Sequence, residues 1–162
     1  MSRALSMMTR SGKGLAVICF SLFSGWMLSI PFEGKSLYLL AADLGVSDIG
    51  PIMQVSTLLN FAGLFLCGFL VKTARDAQRM LRALIPICIG GTLLMLTSAP
   101  AAWHLSISVV SFAAGLVVAS WGFWFVSETP VGERFQTAAA MLILSNVFMI
   151  AIDAIGIGLG PR

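Results

Sequence analysis

No Asp, Glu, Lys or Arg stands anywhere in Ile49–Val71 or from Ala83 to Ser127. A stretch of about 17 to 25 apolar residues crosses a hydrocarbon core of about 30 Å as a helix. A chain of 162 residues has no room to bury several such stretches inside one water-soluble core. Only 10% of the residues are charged and 58% are hydrophobic, whereas soluble domains carry about 25% charged residues. The bilayer is therefore the expected solvent. The expected fold is all-α: a polytopic membrane helical bundle of about five transmembrane helices, forming a single membrane domain over 1–162.

Apolar runs and turn residues divide the chain into spans at about 14–40, 49–71, 83–99, 103–127 and 135–159. The first is expected to continue through Pro31 as a tilted, kinked helix, because 37–42 stays apolar. Gly45 reads as its stop and Ser47 as a cap for the second. The charged stretch Lys72–Arg82 reads as a loop. Pro86 falls in the first turn of the third span, where proline is tolerated. Ser98-Ala99-Pro100 reads as a short turn, and Thr129-Pro130 as a cap with proline opening the last span. Gly63, the pair Gly115 and Ala119, and the pair Gly156 and Gly160 are places where helices can approach closely. An odd number of spans, with the chain stopping at the end of the fifth, suggests part of a longer protein.

The net charge is +3, and its placement is more informative than its size. Arg3, Arg10 and Lys13 precede the first span. Lys72, Arg75, Arg79 and Arg82 separate the second from the third, and Arg134 lies between the fourth and fifth. Lys35 and Arg162 fall on the other side. The positive-inside rule then puts the N-terminus in the cytoplasm of a multi-pass cell-membrane protein. The basic N-terminus is not expected to be a cleaved signal, because 14–30 is long for one and no A-x-A-like site follows. No basic patch is interleaved with aromatics, so direct nucleic-acid binding is not expected.

Cys19, Cys67 and Cys88 lie in apolar runs without metal-ligand spacing or an evident disulfide partner. His104 is the one histidine, so no metal site is expected. There is no nucleophile–base–orienter set and no phosphate-cradling glycine loop. Neither enzymatic activity nor a cofactor is expected.

Several segments resemble the N-terminal half of a major facilitator superfamily (MFS) transporter. Leu39-Leu40-Ala41-Ala42-Asp43-Leu44-Gly45-Val46-Ser47, followed by Ile49-Gly50, is similar to that family's passage from span one to span two. Gly68-Phe69-Leu70, with a basic loop ending in Arg79, resembles its loop between spans two and three. Pro130-Val131-Gly132-Glu133-Arg134, with Thr137-Ala138-Ala139, resembles its loop between spans four and five. Gly156-Ile157-Gly158-Leu159-Gly160-Pro161 is similar to the glycine-proline motif of span five in antiporter subfamilies. The resemblance implies an incomplete MFS-like bundle that moves a small solute together with a missing C-terminal half. Two positions depart from the pattern. Lys72 stands where the family has the acid that latches its halves, and Ser111 where it has a span-four arginine. Pro31-Phe32-Glu33-Gly34 and 145–150 also resemble the MFS-like membrane part of bacterial LuxR-type regulators, which implies a ligand-sensing alternative; a non-functional fragment is the remaining one.

Ionisable groups in lipid are costly, so each one invites a functional reading. Glu33 and Asp153 are the acids within or near the spans, and both are candidates to line a solute or ion cavity. The competing readings are that Glu33 pairs with Lys35 at the interface and that Asp153 faces water. Asn60 and Asn146 are polar groups nearer mid-span, suited to a ligand or to interhelical hydrogen bonding; Gln54 is a weaker candidate of that kind. Trp26 is a pocket candidate. Trp121, Phe123, Trp124 and Phe125, with Trp103 at the opposite end, read as interfacial belts. Lys72, Arg75, Arg79, Arg82, Glu133 and Arg134 are candidates for a cytoplasmic gate, or for setting topology alone. The lipid bilayer is itself an expected partner, and the basic segment could contact its anionic headgroups.

Overall fold

The computed structural model describes residues 12–32, 35–43, 45–46, 48–95, 97 and 100–158. Among these every regular element is helical. In chain order they are α1 (Gly12–Met27), a π-helical turn (Leu28–Phe32), α2 (Lys35–Asp43), α3 (Gly50–Leu70), α4 (Ala74–Met95), α5 (Pro100–Glu128) and α6 (Val131–Gly158). Three helices are long and apolar enough to cross a membrane: Gly50–Leu70, Ala102–Glu128 and Val131–Gly156. These make the chain a candidate membrane protein.

Where the sequence places Pro31 the regular α-helix α1 has given way to the π-helical turn. Proline has no N–H to donate and clashes with the preceding turn, and the backbone there widens into the π-helical turn Leu28–Phe32. α2 ends on Gly45, the one positive-φ residue described, at φ 70°. The Gly45 N–H donates to the Ala42 carbonyl at 3.0 Å and the Val46 N–H to the Ala41 carbonyl at 2.9 Å. This is the Schellman pair of bonds, which requires a left-handed residue best supplied by glycine. Val46 also packs on the cluster containing Ala41. Ser47 lies outside the described residues; the N-cap of α3 is Ile49, and nearby the Asp48 carboxylate accepts the Gly50 N–H at 2.9 Å.

The segment Lys72–Arg82 corrects the sequence reading. Only 71–73 is non-helical, and α4 is already formed at Ala74. A reciprocal cap starts it. The Asp76 N–H donates to Thr73 Oγ1 at 3.2 Å, while the Thr73 N–H and hydroxyl donate to Asp76 Oδ2 at 3.0 and 2.8 Å. Such a box satisfies donors that a helix N-terminus otherwise leaves open. The basic residues Arg75, Arg79 and Arg82 therefore stand on helix rather than on loop.

Three helix pairings organise the bundle, and two of them are parallel. Along α1 and α6, the Ser21 hydroxyl donates to the Met141 carbonyl at 3.3 Å and the Ser29 hydroxyl to the Met149 carbonyl at 3.1 Å. The offset is the same at both places, so the helices run in register. Between them, a Cβ built on Gly25 would stand 2.8 Å from Phe148 Cβ and 3.0 Å from Met149 N. Along α3 and α5, the crossing is made by Gly63 and Gly115, with a built Gly63 Cβ 3.3 Å from Gly115 Cα. Small residues let two backbones approach closely enough for dispersion and polar contact to act in lipid. α4 lies antiparallel on α5. Gly91 meets Val110 and Ser106, while Leu84 and Cys88 share a core cluster with Ala113, Leu116 and Val117.

The result is a two-helix body, α1 with α6, beside a three-helix body, α3 with α4 and α5. Besides the contact of α1 on α5 made by Phe20 on Trp121, they join at the end away from the basic segment. There the π-helical turn reaches α3 and α5, and a second cluster holds Leu37, Ala41, Met95, Trp103 and Ile107. Trp103 corrects the belt reading: it is fully buried, because the first rod folds over the start of α5.

Candidate functional site

Toward the basic end α1 stays packed on α5 through Phe20, while a cleft opens between α1 and α4. Its deeper part has a volume of about 510 Å³. Cys19, Leu22, Phe23 and Trp26 line it from α1, with Ile85, Cys88, Ile89, Thr92 and Leu93 opposite on α4. The part nearer the basic end has a volume of about 270 Å³ and adds Phe20, Gln78, Leu81 and Arg82, floored by Val117, Trp121 and Trp124 of α5. Cys19, Phe23 and Ile85 line both parts, so the two are continuous.

An aromatic stack crosses the floor. Phe20 lies on Trp121 with ring centroids 3.6 Å apart, and Trp121 on Phe125 at 4.9 Å. Trp26 is half-buried, tilted against Phe23 at 5.3 Å. The α5 aromatics thus tie α1 to α5, a role beyond an interfacial belt. The indole Nε1 groups of Trp121 and Trp124 are buried donors without a hydrogen-bond partner. The wall is otherwise apolar apart from Thr92, Gln78 and Arg82. It suits a ligand that is mostly hydrocarbon or aromatic, with a polar group at one end.

The cavity candidates are dispersed. Trp26 alone lines the cleft. Asn60 sits on the α3–α5 crossing, its Nδ2 donating to the Ser111 carbonyl at 3.1 Å. Asn146 is exposed, and its Nδ2 donates to the Leu142 carbonyl one turn back at 2.8 Å. Asp153 is half-buried in the last turns of α6. Glu33 lies outside the described residues. Gln54 is exposed on α3. A separate cavity of about 780 Å³ at the end away from the basic segment is lined by Tyr38, Asp48 and Met53 among others.

The basic residues divide into distinct roles. Lys72 Nζ donates to the Gly68 carbonyl at 2.9 Å, closing the C-terminal turn of its own helix. Arg134 does the same for α5, with Nη2 to the Val126 carbonyl at 2.7 Å and Nε to the Thr129 carbonyl at 3.0 Å. A cation at a helix C-terminus meets both open carbonyls and the negative end of the dipole. Arg75 and Arg79 are exposed at the start of α4, and Glu133 is exposed at the start of α6. Arg82 alone among the gate candidates lines the cleft.

Sequence reasoning overlooked three features. Ser21, Gly25 and Ser29 form a small-xxx-small-xxx-small stripe, legible as such along α1 and into the π-helical turn that follows it. Thr73 and Asp76 have capping-box spacing. The cleft position of Cys19 and Arg82 has no local signal, since it depends on how far α1 stands from α4. Among the described residues no group of His, Cys, Asp and Glu could hold a metal ion, and Cys19, Cys67 and Cys88 are free thiols. Comparisons with protein-family models, with curated proteins and with solved structures give no match for this chain.

Proposed function

We propose that the chain is part of a multi-pass membrane bundle that moves a small solute, of the facilitator kind its sequence resembles. The observation that carries this is the cleft between α1 and α4, walled by the α1–α6 body and the α3–α4–α5 body and floored by the stack of Phe20 on Trp121. Alternating access is largely the rocking of one packed body against another around a fixed site. Glycine-mediated seams hold each body together, so motion is concentrated where side chains alone meet. The π-helical turn at Leu28–Phe32 lies where the bodies join, and such turns recur at functional sites. In this reading five rods cross the bilayer with the N-terminus and basic segment in the cytoplasm, and a second half completes the translocation path.

Flux through proteoliposomes tests the reading. Cys19 is exposed and lines both parts of the cleft. Uptake of a panel of radiolabelled sugars, amino acids and aromatic carboxylates is measured before and after N-ethylmaleimide. Flux of one solute class, blocked by the reagent and protected by Cys19→Ser, is the expected result. Absence of flux for every class in a folded protein that carries both halves of the bundle would sink it.

A second reading, a ligand-sensing membrane portion of a regulator, draws on Lys72 and Ser111. Lys72 closes its own helix, and the Ser111 carbonyl is taken by Asn60. Neither is arranged as the latch or coupling group that transport in the resembled family uses. A transcriptional reporter that responds to ligand while flux stays absent favours this alternative.

A further inference from the structure

We infer that the cleft between α1 and α4 seats an acyl lipid with an anionic head. The inference rests on reading the cleft as a ligand site, and it names the ligand class.

One face of α4 has the chemistry of such a lipid along its length. Arg75, Arg79 and Arg82 follow one another at spacings of four and three residues, which places them on one stripe. All three are exposed. The stripe continues as Ile85, Ile89 and Leu93, again at four-residue spacing and exposed by 41%, 57% and 61%. Exposed branched aliphatics in line with arginines make a surface that is cationic at one end and hydrocarbon beyond it. A soluble ion complements only the first part and a neutral hydrocarbon only the second. An anionic acyl lipid complements both.

The dimensions agree. Arg82 to Leu93 spans eleven residues of helix, about 16 Å at 1.5 Å per residue. One leaflet of a hydrocarbon core of about 30 Å is about 15 Å deep. The opposite wall, α1, supplies Leu22, Phe23 and Trp26 along the hydrocarbon part, while Gln78, one turn before Arg82 on α4 itself, adds to the polar end. The Trp121 and Trp124 rings floor that polar end. Indoles combine an apolar body with one polar handle, a combination enriched where hydrocarbon meets headgroup.

The test is lipid retention in detergent, read by native mass spectrometry on the full chain, with no flux involved. Phosphatidylglycerol and phosphatidylcholine of identical acyl chains are offered in equal amounts. Phosphatidylglycerol is expected to be retained preferentially. Arg82→Gln should weaken that retention about fivefold, the contribution of one basic residue at an anionic surface. Ile89→Trp, which fills the cleft from an exposed position, should abolish it while leaving helicity and Tm unchanged. Arg75→Gln, farther from the cleft, should have a smaller effect than Arg82→Gln. Equal retention of the two lipids overturns the proposal. So does equal loss in Arg75→Gln and Arg82→Gln, which means a diffuse basic surface. Undiminished retention in Ile89→Trp places the lipid outside the cleft and overturns it as well. Retention with these variant effects in a protein that moves no solute leaves the lipid site standing and removes the transport reading alone.

Discussion

Gly63 and Gly115 meet backbone to backbone where α3 crosses α5. A Cβ built at Gly63 would lie 3.1 Å from the Leu116 nitrogen and 3.3 Å from Gly115 Cα, with the Phe112 carbonyl oxygen nearer still. A built Cβ at Gly115 would meet the Asn60 carbonyl in the same way. Both clashes are with main chain, which has no rotamer to yield. Gly63→Ala should therefore destabilise the bundle by about 1–3 kcal/mol, the usual cost of overpacking. Gly122→Ala is the control: nothing lies within 4 Å of a Cβ there. It should stabilise by up to about 1 kcal/mol through helix propensity. Denaturant titration of the protein in detergent micelles reads both. A neutral Gly63→Ala would mean that the crossing is looser than this geometry.

One turn before Gly63, the Asn60 amide reaches the Ser111 carbonyl at 3.1 Å. That bond lies between two helices rather than in the cleft, so Asn60 acts as interhelical glue. Asn60→Leu should cost about 0.6 kcal/mol, the average for such bonds in membrane bundles. The same titration measures it. Flux or lipid retention that collapses while stability shifts by no more than that would instead give Asn60 a ligand role.

The pairing of α1 with α6 is parallel and in register, which makes a sharp prediction about proximity. Disulfides form when Cβ atoms stand about 3.5–4.5 Å apart. Gly25→Cys with Phe148→Cys starts from a built separation of 2.8 Å, within reach after a small shift. Gly25→Cys with Met141→Cys is displaced by seven residues along α6, about 10 Å. With the native cysteines replaced, mild oxidation should cross-link the first pair and leave the second free, as read by mass spectrometry after proteolysis. Cross-linking of the second pair alone would mean a different register.

The three helices long and apolar enough to cross a membrane, Gly50–Leu70, Ala102–Glu128 and Val131–Gly156, were legible because apolar length is a direct physical requirement of crossing a bilayer. The Gly45 stop was legible for a similar reason: the turn after α2 needs a left-handed residue. The start of α4 was masked by its charge. Arg75, Asp76, Arg79 and Arg82 crowd its first turns with charge, which by density alone reads as loop, although Ala77, Met80 and Leu81 give it an apolar face and the Thr73–Asp76 spacing signals a helix start. Trp103 was misplaced because position at the edge of a span says nothing about which element folds over it. Pairing was the least legible level. The stripe Ser21-Gly25-Ser29 announces that α1 approaches another helix, but nothing local names α6 as the partner. The candidate site suffers most from this, since the cleft exists where α1 and α4 fail to touch.

The Thr73–Asp76 cap gives the start of α4 a pH dependence. Asp76 is held below the ordinary carboxylate range first by the Thr73 hydroxyl, and further by the backbone N–H groups of Thr73 and Lys72 and by the nearby Arg79 charge; burial opposes these. Its folded pKa is thus lower than its unfolded one. Such a group stabilises the folded form fully above its unfolded value, about 3.9 for Asp. The stabilisation is lost as pH falls through the lower folded value. Hydrogen exchange at the amides of 74–78 should therefore stay slow down to about pH 4 and quicken below it, after correction for intrinsic rates. Asp76→Asn should remove that acid limb, because the amide does not titrate. Thr73→Ala should weaken the cap at every pH, by about 1 kcal/mol as for other threonine N-caps. An acid limb that persists in Asp76→Asn would move its origin to another carboxylate, and the cap would then have no part in it.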